Sequence, residues 1–589
     1  MTTSTTARKG GAWLVDSTDP AEVFTPEKLS EEHRLIARTA AEFVAQEVLP
    51  QLDRLEQKDW ALARDLLRRC GELGLLGADV PEAYGGVGLD KAASVVVNEM
   101  ISRSASFGAT FGGQTNLAVL PILMFGTDAQ RRKYIPGLLA GELVGAYALS
   151  ESGSGSDALG AKARAARLPD GSFALNGEKM WITNGGFADL FIVFAKLDGE
   201  QFTAFIVERA FPGVSTGREE HKMGLHGSST TPLILQEAHV PAENLLGEIG
   251  KGHKVAFNVL NFGRFKLGAS CSGSAKAAIG ESVKYATQRK QFGQAIAGFG
   301  AIKHKIGEMI ARTYALESLI YRTAGLIDAT LEATRRDPTD GAAVLAALEE
   351  FAVEASIAKV FGSETVDFVL DENVQIHGGN GYVRDYPAER RYRDARVNRI
   401  FEGTNEINRL LIPTMLVRRA LKGGLPIVAE AKKVHNEARA ATSSAASGEH
   451  REQRAIGSLK KVALLVLGVA MERYGERLGD EQEILTLVAD ITIDVYAAES
   501  ALLRALDASR RAVPTGEMQF DAARVFLAGA TVRAESTARE ALSAMLQGEP
   551  LQSLSHAVRR FLDVAPINTI AIRRCLAEAA TAKGGYLFQ

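Results

Sequence analysis

Arg399-Ile400-Phe401-Glu402-Gly403-Thr404-Asn405-Glu406-Ile407-Asn408-Arg409 sets one acidic residue, Glu402, between an aromatic residue and a glycine. Ile400 and Phe401 are expected to strip water from the carboxylate. Burial raises a carboxyl pKa and makes the group a stronger base near neutral pH. Gly403 admits close approach by another backbone or a ligand. Thr404 has the chemistry of an N-cap for a helix over 406–411. A base just ahead of a helix start also has backbone N–H groups beside it, suited to a developing oxyanion. An ordinary capped helix with a first-turn carboxylate carries the same pattern, so the rest of the chain decides between the two readings.

Around this stretch, helical spacing covers 252–290, 301–333, 342–371 and 404–421, with a Pro/Asp/Gly loop at 337–341. These read as a four-helix bundle over 251–421. Before it the period changes. Residues 173–175 and 179–183 are strand-like around an Asn176-Gly177 hairpin turn, and Asn184-Gly185-Gly186 is a second turn. Strands at 190–195 and 202–207 join across Asp198-Gly199, and 233–235 adds another. Residues 146–250 therefore read as an antiparallel β domain. Further back, Ser30 caps a helix that begins Glu31-Glu32 and that Pro50 ends, and helical segments follow at 60–76, 92–105, 114–125 and 129–139. That gives an N-terminal α domain at 28–145, preceded by an arm at 1–27. Downstream, Gly423-Gly424 and the Ala/Ser-rich run 440–447 mark a linker at 422–450, and 451–589 is a further α-helical domain. The fold class expected is mainly α with a central antiparallel β domain, plus an extra C-terminal α domain.

A chain of 589 residues exceeds one core, and its 46% hydrophobic and 24% charged content is that of a soluble globular protein. Lys+Arg 68 against Asp+Glu 71 leaves no nucleic-acid footprint. The three cysteines, Cys70, Cys271 and Cys575, lack metal-ligand spacing and are expected as small core residues in a reducing compartment, with no metal. Met1–Gly11 has no apolar core of a secretory signal and no transit-peptide pattern, and the longest apolar run, 462–471, is too short to span a bilayer. A cytoplasmic protein is expected. For 456–474, apolar with basic flanks, a peripheral contact with the inner face of a membrane competes with burial in a core.

Four more stretches carry chemistry. Tyr147-Ala148-Leu149-Ser150-Glu151-Ser152-Gly153-Ser154-Gly155-Ser156-Asp157 lies where helices give way to strands and is either a connector or a backbone cradle for phosphate and ring heteroatoms. Trp181-Ile182-Thr183 offers an indole beside a hydroxyl, either a core Trp or the wall of a flat cofactor. Arg289-Lys290-Gln291-Phe292-Gly293 ends a long helix and suits either the helix dipole or a diphosphate. Gln375-Ile376-His377-Gly378-Gly379-Asn380-Gly381 is a helix stop or a close approach to adenosine. His377 has no ligand-spaced partner, and no G-x-G-x-x-G follows a parallel strand.

In this order, on α–β–α domains, these stretches resemble the flavin-dependent acyl-CoA dehydrogenases over roughly 30–420. The extension past about 425, Asn261-Phe262-Gly263-Arg264-Phe265 and Asn184–Asp189 resemble the very-long-chain branch. The resemblance implies FAD bound across two subunits. Tyr147, Leu149, Ser150, Ser156, Trp181, Ile182 and Thr183 would hold the flavin. Arg289, Gln291, Phe292, Gln375, Gly378 and Gly379 of the neighbouring chain would contact the ADP portion, and Thr404 and Glu406 would close the cofactor site. Ser156, Asn261, Arg264 and Gly403 would contact acyl-CoA. Glu402 matches the catalytic base, whereas the alternative base position of other branches falls on Gly263. Gly300 stands where shorter-chain relatives often carry Gln, which removes one expected cofactor hydrogen bond. The implied function is oxidation of long-chain acyl-CoA to trans-2-enoyl-CoA, the first step of fatty acid β-oxidation, with electrons passed to electron-transferring flavoprotein by a homodimer. An acyl-CoA oxidase of the same fold and a scaffold protein built on it are the alternatives.

Overall fold

In the computed structural model, which describes residues 8–335, 337, 339–440, 451–563 and 566–588, Ser30 accepts the His33 N–H at 3.2 Å and the His33 ring takes the Ser30 N–H at 3.1 Å, closing a capping box. The helix it starts, α1 (Glu31–Phe43), does not stop at Pro50. A π-turn (Val44–Val48) and a 3-10 turn (Leu49–Gln51) lead into α2 (Leu52–Glu56). Pro50 sits in the first turn of the 3-10 segment, where its missing N–H costs nothing. Helices α3 (Trp60–Glu72), α4 (Lys91–Ile101), α5 (Ala105–Gln114), α6 (Leu120–Phe125) and α7 (Asp128–Leu139) complete this layer.

Strands β1 (Gly145–Ala148), β2 (Arg164–Arg167), β3 (Phe173–Thr183), β4 (Leu190–Leu197), β5 (Gln201–Glu208), β6 (Val214–Thr216), β7 (Thr230–Val240) and β8 (Leu245–Leu246) form one sheet, ordered β6-β7-β3-β2-β4-β5-β8. The sheet is mixed, not antiparallel throughout. Both β1 and β2 pair with β4 in parallel, β1 at Leu190–Val193 and β2 at Lys196 and Leu197. Two strands share one edge of β4 in succession, so the Gly/Ser-rich loop between them is pushed out of the sheet.

Asn176-Gly177 is not a hairpin turn either. Here β3 runs straight through on β7, with a register shift between Leu175 and Gly177. Asn176 exchanges two hydrogen bonds with Glu237, of 2.7 and 2.9 Å. Gly177 has φ +145, which side-chain-bearing residues rarely adopt, and a Cβ there would lie 2.9 Å from Ala163 Cα. The glycine serves a bulge and a close strand crossing. The expected turn at Asp198-Gly199 does form, with φ 52 and 82.

The long helix α8 (Gly252–Gln288) leads to a short hairpin, β9 (Lys290–Gln291) and β10 (Gln294–Ala295), and then to α9 (Gly300–Thr334). The segment expected as one helix over 342–371 is two, α10 (Gly341–Glu350) and α11 (Ala352–His377), followed by α12 (Pro387–Ala395) and α13 (Asn405–Leu421). The span read as a linker contains α14 (Ile427–Arg439), whose Ile427, Ala431, Val434 and Ala438 are buried at helical spacing. Gly423-Gly424 and Pro426 only punctuate its start. The Ala/Ser-rich run past Ala440 lies outside the described residues. Helices α15 (Arg451–Tyr474), α16 (Gln482–Arg510), α17 (Gly516–Met545), α18 (Gly548–Phe561) and α19 (Thr569–Lys583) complete the chain.

One apolar core runs from the bundle into these C-terminal helices. Leu485, Val488, Ile491, Val495 and Leu502 of α16 are buried in it, and so are Ala463, Leu464, Leu467 and Ala470 of α15. The face of α15 that a membrane would need is thus occupied by protein. Among the described residues no helix is long and apolar enough to cross a membrane. A buried ionic network ties the layers together. Arg504 of α16 pairs with Glu317 of α9 at 2.6 Å and with Glu27 at 2.7 Å, and Lys276 of α8 pairs with Glu317 at 2.5 Å and Glu99 of α4 at 2.8 Å.

The described part of the N-terminal arm is structural. Gly11 N–H and the Trp13 indole donate to Glu354 of α11 at 2.7 and 2.9 Å, and Trp13 packs 4.7 Å from Tyr496 of α16. Four apolar residues, Ala12-Trp13-Leu14-Val15, are too few to show periodicity, which hides this role in the sequence. Cys70 and Cys271 are buried as expected, but Cys575 is exposed on α19.

Candidate active site

Glu402 lies on the short loop before α13, with φ +58, followed by Gly403 at φ +76. A non-glycine residue there is strained, and such strain concentrates at functional sites. The loop is held by its neighbours. Thr404 Oγ1 accepts the Ile407 N–H at 3.3 Å and caps α13. Asn408 Nδ2 donates to the carbonyls of Gly403 and Thr404 at 2.9 and 3.0 Å. Arg264 Nε donates to the Glu402 carbonyl at 3.1 Å, while Arg264 Nη1 donates to Asn261 Oδ1 at 3.0 Å.

The carboxylate rests on α8 at Gly263, where an added Cβ would lie 2.6 Å from Glu402 Oε2. Oε2 is buried without a hydrogen-bond partner. Burial pushes the Glu402 carboxyl up to about 7, against the opposing pull of the Arg264 and Lys359 cations. Ile400 is turned to solvent, 54% exposed, and the carboxylate lies instead against Gly263 of α8. Glu402 opens into a cavity of about 120 Å³ that Gly263, Thr183 and Phe401 also line. It is also lined by Asn98 of α4, Ser102 just past its end, Ala105, Gly108, Ala109, Gly112 and Gly113 of α5, and Ser270 and Ser274 of α8.

Of the expected cofactor residues, Thr183 shares this cavity with Glu402. Tyr147, partly buried, is near enough to feel the Glu402 charge, and desolvation first, then that charge, raises its phenol well above the usual value. Leu149 is buried at the sheet edge, and the Ser150 carbonyl accepts the Met180 N–H at 2.9 Å. The Gly/Ser loop is organised by Glu151, which accepts from buried Lys179 at 2.6 Å and from the Lys162 and Ala163 N–H groups at 2.6 and 3.1 Å. Ser156 is exposed at its tip.

Trp181 is not a core residue. The ladder shifts register between Lys179 and Ile182, Trp181 takes φ +59, and its indole stands 58% exposed beside buried Ile182. A bulge that turns an indole outward next to a cavity provides a wall for a planar ligand. Glu406 is exposed in the first turn of α13, and its own N–H and Thr404 lower its carboxyl.

Arg289, Gln291 and Phe292 are not brought to the cavity within one chain. Arg289 closes the end of α8 at the base of the β9–β10 hairpin, while Gln291 and Phe292 lie at its tip, where Phe292 is 93% exposed. Gln375, Gly378 and Gly379 are exposed at the end of α11. Gly378 has φ 59 and ψ −136, open essentially to glycine alone. The two groups sit at one end of the bundle, because Tyr285 of α8 stacks on His377 at 4.2 Å and accepts from Asn380 at 3.0 Å. Gly300 is exposed beside Arg574.

Sequence reasoning missed Lys359 of α11, fully buried, which donates to Asn405 Oδ1 at 2.6 Å beside the Glu402 loop. Its signal was a lone lysine among Ala355-Ser356-Ile357-Ala358 and Val360-Phe361. It also gave Gly263 no role beyond its inability to be a base.

Helical layer, sheet and bundle around a buried carboxylate and an exposed indole define an acyl-CoA-oxidising flavoenzyme architecture. The chain belongs to the acyl-CoA dehydrogenase family. The family's N-terminal, middle and C-terminal domains match residues 30–142, 146–238 and 250–416, and a further acyl-CoA dehydrogenase C-terminal domain matches 458–560. A probable acyl-CoA dehydrogenase of Bacillus subtilis (strain 168) is 47% identical over 96% of both chains. The human mitochondrial very long-chain specific acyl-CoA dehydrogenase is 36% identical over 82% of this chain and 75% of its own. The crystal structure of an acyl-CoA dehydrogenase complexed with FAD from Bacillus anthracis superposes with a TM-score of 0.97 at 47% identity, covering 99% of this chain and 100% of that one. Butyryl-CoA dehydrogenase from Megasphaera elsdenii, TM-score 0.61 at 36% identity, covers 66% of this chain and 99% of its own. The chain is an FAD-dependent oxidoreductase of this family. Its own residues fit the cofactor, with the outward-turned Trp181 and the orphaned Glu402 Oε2 facing ligand space.

Proposed function

We propose that the chain oxidises long-chain fatty acyl-CoA thioesters to trans-2-enoyl-CoA, the first step of β-oxidation, and passes the electrons to electron-transferring flavoprotein. The observation that carries this is Glu402 Oε2, buried, unpartnered and directed at the cavity beside Gly263. When bound, FAD supplies the acceptor for the β-hydride at N5. Glu402 takes the α-proton as the C2–C3 double bond forms, and the Glu402 backbone N–H polarises the thioester carbonyl so that the α-carbon becomes acidic. Arg264 and Asn408 fix the loop that aims the carboxylate. Ser156, Asn261, Arg264 and Gly403 contact the acyl-CoA. Tyr147, Leu149, Ser150, Ser156, Trp181, Ile182, Thr183, Thr404 and Glu406 hold the flavin side. Arg289, Gln291, Phe292, Gln375, Gly378 and Gly379 reach the ADP portion from a second copy, which accounts for their exposure in one chain. Reduction by palmitoyl-CoA without oxygen should bleach the yellow protein, and admitted air should restore the colour slowly. Immediate reoxidation would instead make the chain an oxidase.

Long acyl chains are supported by the wall of α5. A Cβ at Gly108 or Gly112 would meet nothing nearer than 3.4 or 3.7 Å, so these glycines are not demanded by packing and leave the slot open. Gly113 differs, since a Cβ there would lie 2.9 Å from Asn184 Nδ2. Each CH₂ buried in the slot contributes about 0.8 kcal/mol. Across butyryl- to stearoyl-CoA, kcat/KM should climb to a maximum among the long chains; a maximum at four to eight carbons would rule this out.

The C-terminal helices cover a face of the bundle, and this supports a homodimer in place of a tetramer. Solution mass should give a dimer of the intact chain, and a tetramer would refute it. Domain divisions near 28, 146, 251 and 451 belong to the same proposal.

A further inference from the structure

Lys359 is fully buried, and its ammonium meets no carboxylate within 4 Å among the described residues. An unpaired buried cation is expensive to keep and is retained where its charge is used. Its hydrogen-bond partner is the neutral side chain of Asn405, whose Nδ2 donates to Ser363 Oγ and Glu364 Oε1, both at 3.0 Å. Arg409 in turn clamps Glu364 through two bonds of 2.7 and 2.9 Å. Asn405 is the first residue of α13 and lies three positions after Glu402, so this network sets the helix start on which the Glu402 loop rests. A cation beside a helix N-terminus is opposed by the helix dipole, so α13 gains nothing from that charge. The anion on the same loop does.

We propose that Lys359 is a positioning residue for the dehydrogenation: through Asn405 it fixes the loop before α13, and its charge holds the Glu402 carboxylate in the anionic form that accepts a proton. This rests on Glu402 being the base. The charged and titratable groups around the pair are consistent with it. Glu402 faces Arg264 of α8, Lys359 of α11 and Tyr147 of β1. Lys359 faces Cys271 and Arg264 of α8, Glu402, and Glu406 of α13. Burial pulls the Lys359 ammonium down to about 8, above the value of about 7 for Glu402, so it carries its charge on the acidic side of the Glu402 titration. Arg264 is the other cation, but it is tied to the Glu402 carbonyl and to Asn261, where Lys359 is tied only to Asn405.

Glu402 works when deprotonated, so the acidic limb of kcat/KM falls where Glu402 gains its proton. Without the Lys359 charge that limb moves to higher pH. The test compares the intact flavin-loaded enzyme with Lys359→Gln, which can still donate to Asn405, and Lys359→Arg, which keeps the charge, using palmitoyl-CoA from pH 5.5 to 9. In Lys359→Gln the limb should rise by about half to one pH unit, leaving activity about 3–10-fold low near pH 6 and nearly restored at pH 9. Lys359→Arg should keep the wild-type limb. A loss equal at all pH values, an unmoved limb, or failure of both variants to fold with flavin would make Lys359 structural only and overturn the proposal. Glu402→Gln is assayed alongside. If it stays active, the assignment of the base has failed; if it is inactive and the limb is unmoved, only the role of Lys359 has failed.

Discussion

Glu402→Gln should keep FAD, bind acyl-CoA, and lose at least about 10²–10⁴ of its turnover, the usual contribution of a positioned base. The amide is nearly isosteric, so the strained loop, the Thr404 cap and the Arg264 contact to the Glu402 carbonyl all remain available. What disappears is a buried carboxylate raised to about 7 whose Oε2 has no hydrogen-bond partner. The amide cannot take the α-proton. Flavin absorbance and a spectral shift on adding palmitoyl-CoA report intact binding, and steady-state rates report the loss. A variant that retained most of the wild-type kcat would remove Glu402 from the mechanism.

Gly263→Ala should cut kcat/KM by about 10²-fold without lowering the melting temperature. A Cβ there would stand 2.6 Å from Glu402 Oε2 and 3.0 Å from Oε1, so the carboxylate must move. Misplacing a reacting group by about 1 Å costs on that order. The backbone itself does not object. Gly263 is inside α8, where alanine is favoured over glycine by roughly 1 kcal/mol. Loss of rate with unchanged thermal stability therefore separates displacement of the base from damage to the fold. Unchanged kcat/KM would mean that the carboxylate does not act from its position on Gly263.

These two residues also show what the sequence could and could not reveal. Thr404 as a cap, the Asp198-Gly199 turn and the apolar stripe of α16 rest on local rules, spacing and φ preference, which one chain displays directly. Asn176-Gly177 obeys the same local rule and yet forms no turn, because Glu237 and Ala163, distant in sequence, use the pair for a bulge and a strand crossing. The parallel pairing of β1 and β2 with β4 is likewise non-local, and so is the burial of Trp13 between α11 and α16. At the site, Glu402 stood out through its neighbours in sequence. Ile400 misled, since the loop turns it to solvent while the carboxylate lies against Gly263 of α8. Lys359 and Gly263 come from other helices and acquire meaning only once those helices are packed against the Glu402 loop.

The central claim is that Glu402 removes the α-proton of a bound acyl-CoA as the flavin is reduced. Its most direct test is anaerobic rapid mixing of the flavin-loaded enzyme with palmitoyl-CoA and with the same thioester deuterated at C2, following loss of flavin absorbance in the wild type and in Glu402→Gln. The expected result is bleaching in the wild type that is slower with the deuterated substrate, and none on that timescale in Glu402→Gln. Bleaching in the variant at the wild-type rate, or flavin that palmitoyl-CoA leaves oxidised in the wild type, would contradict it.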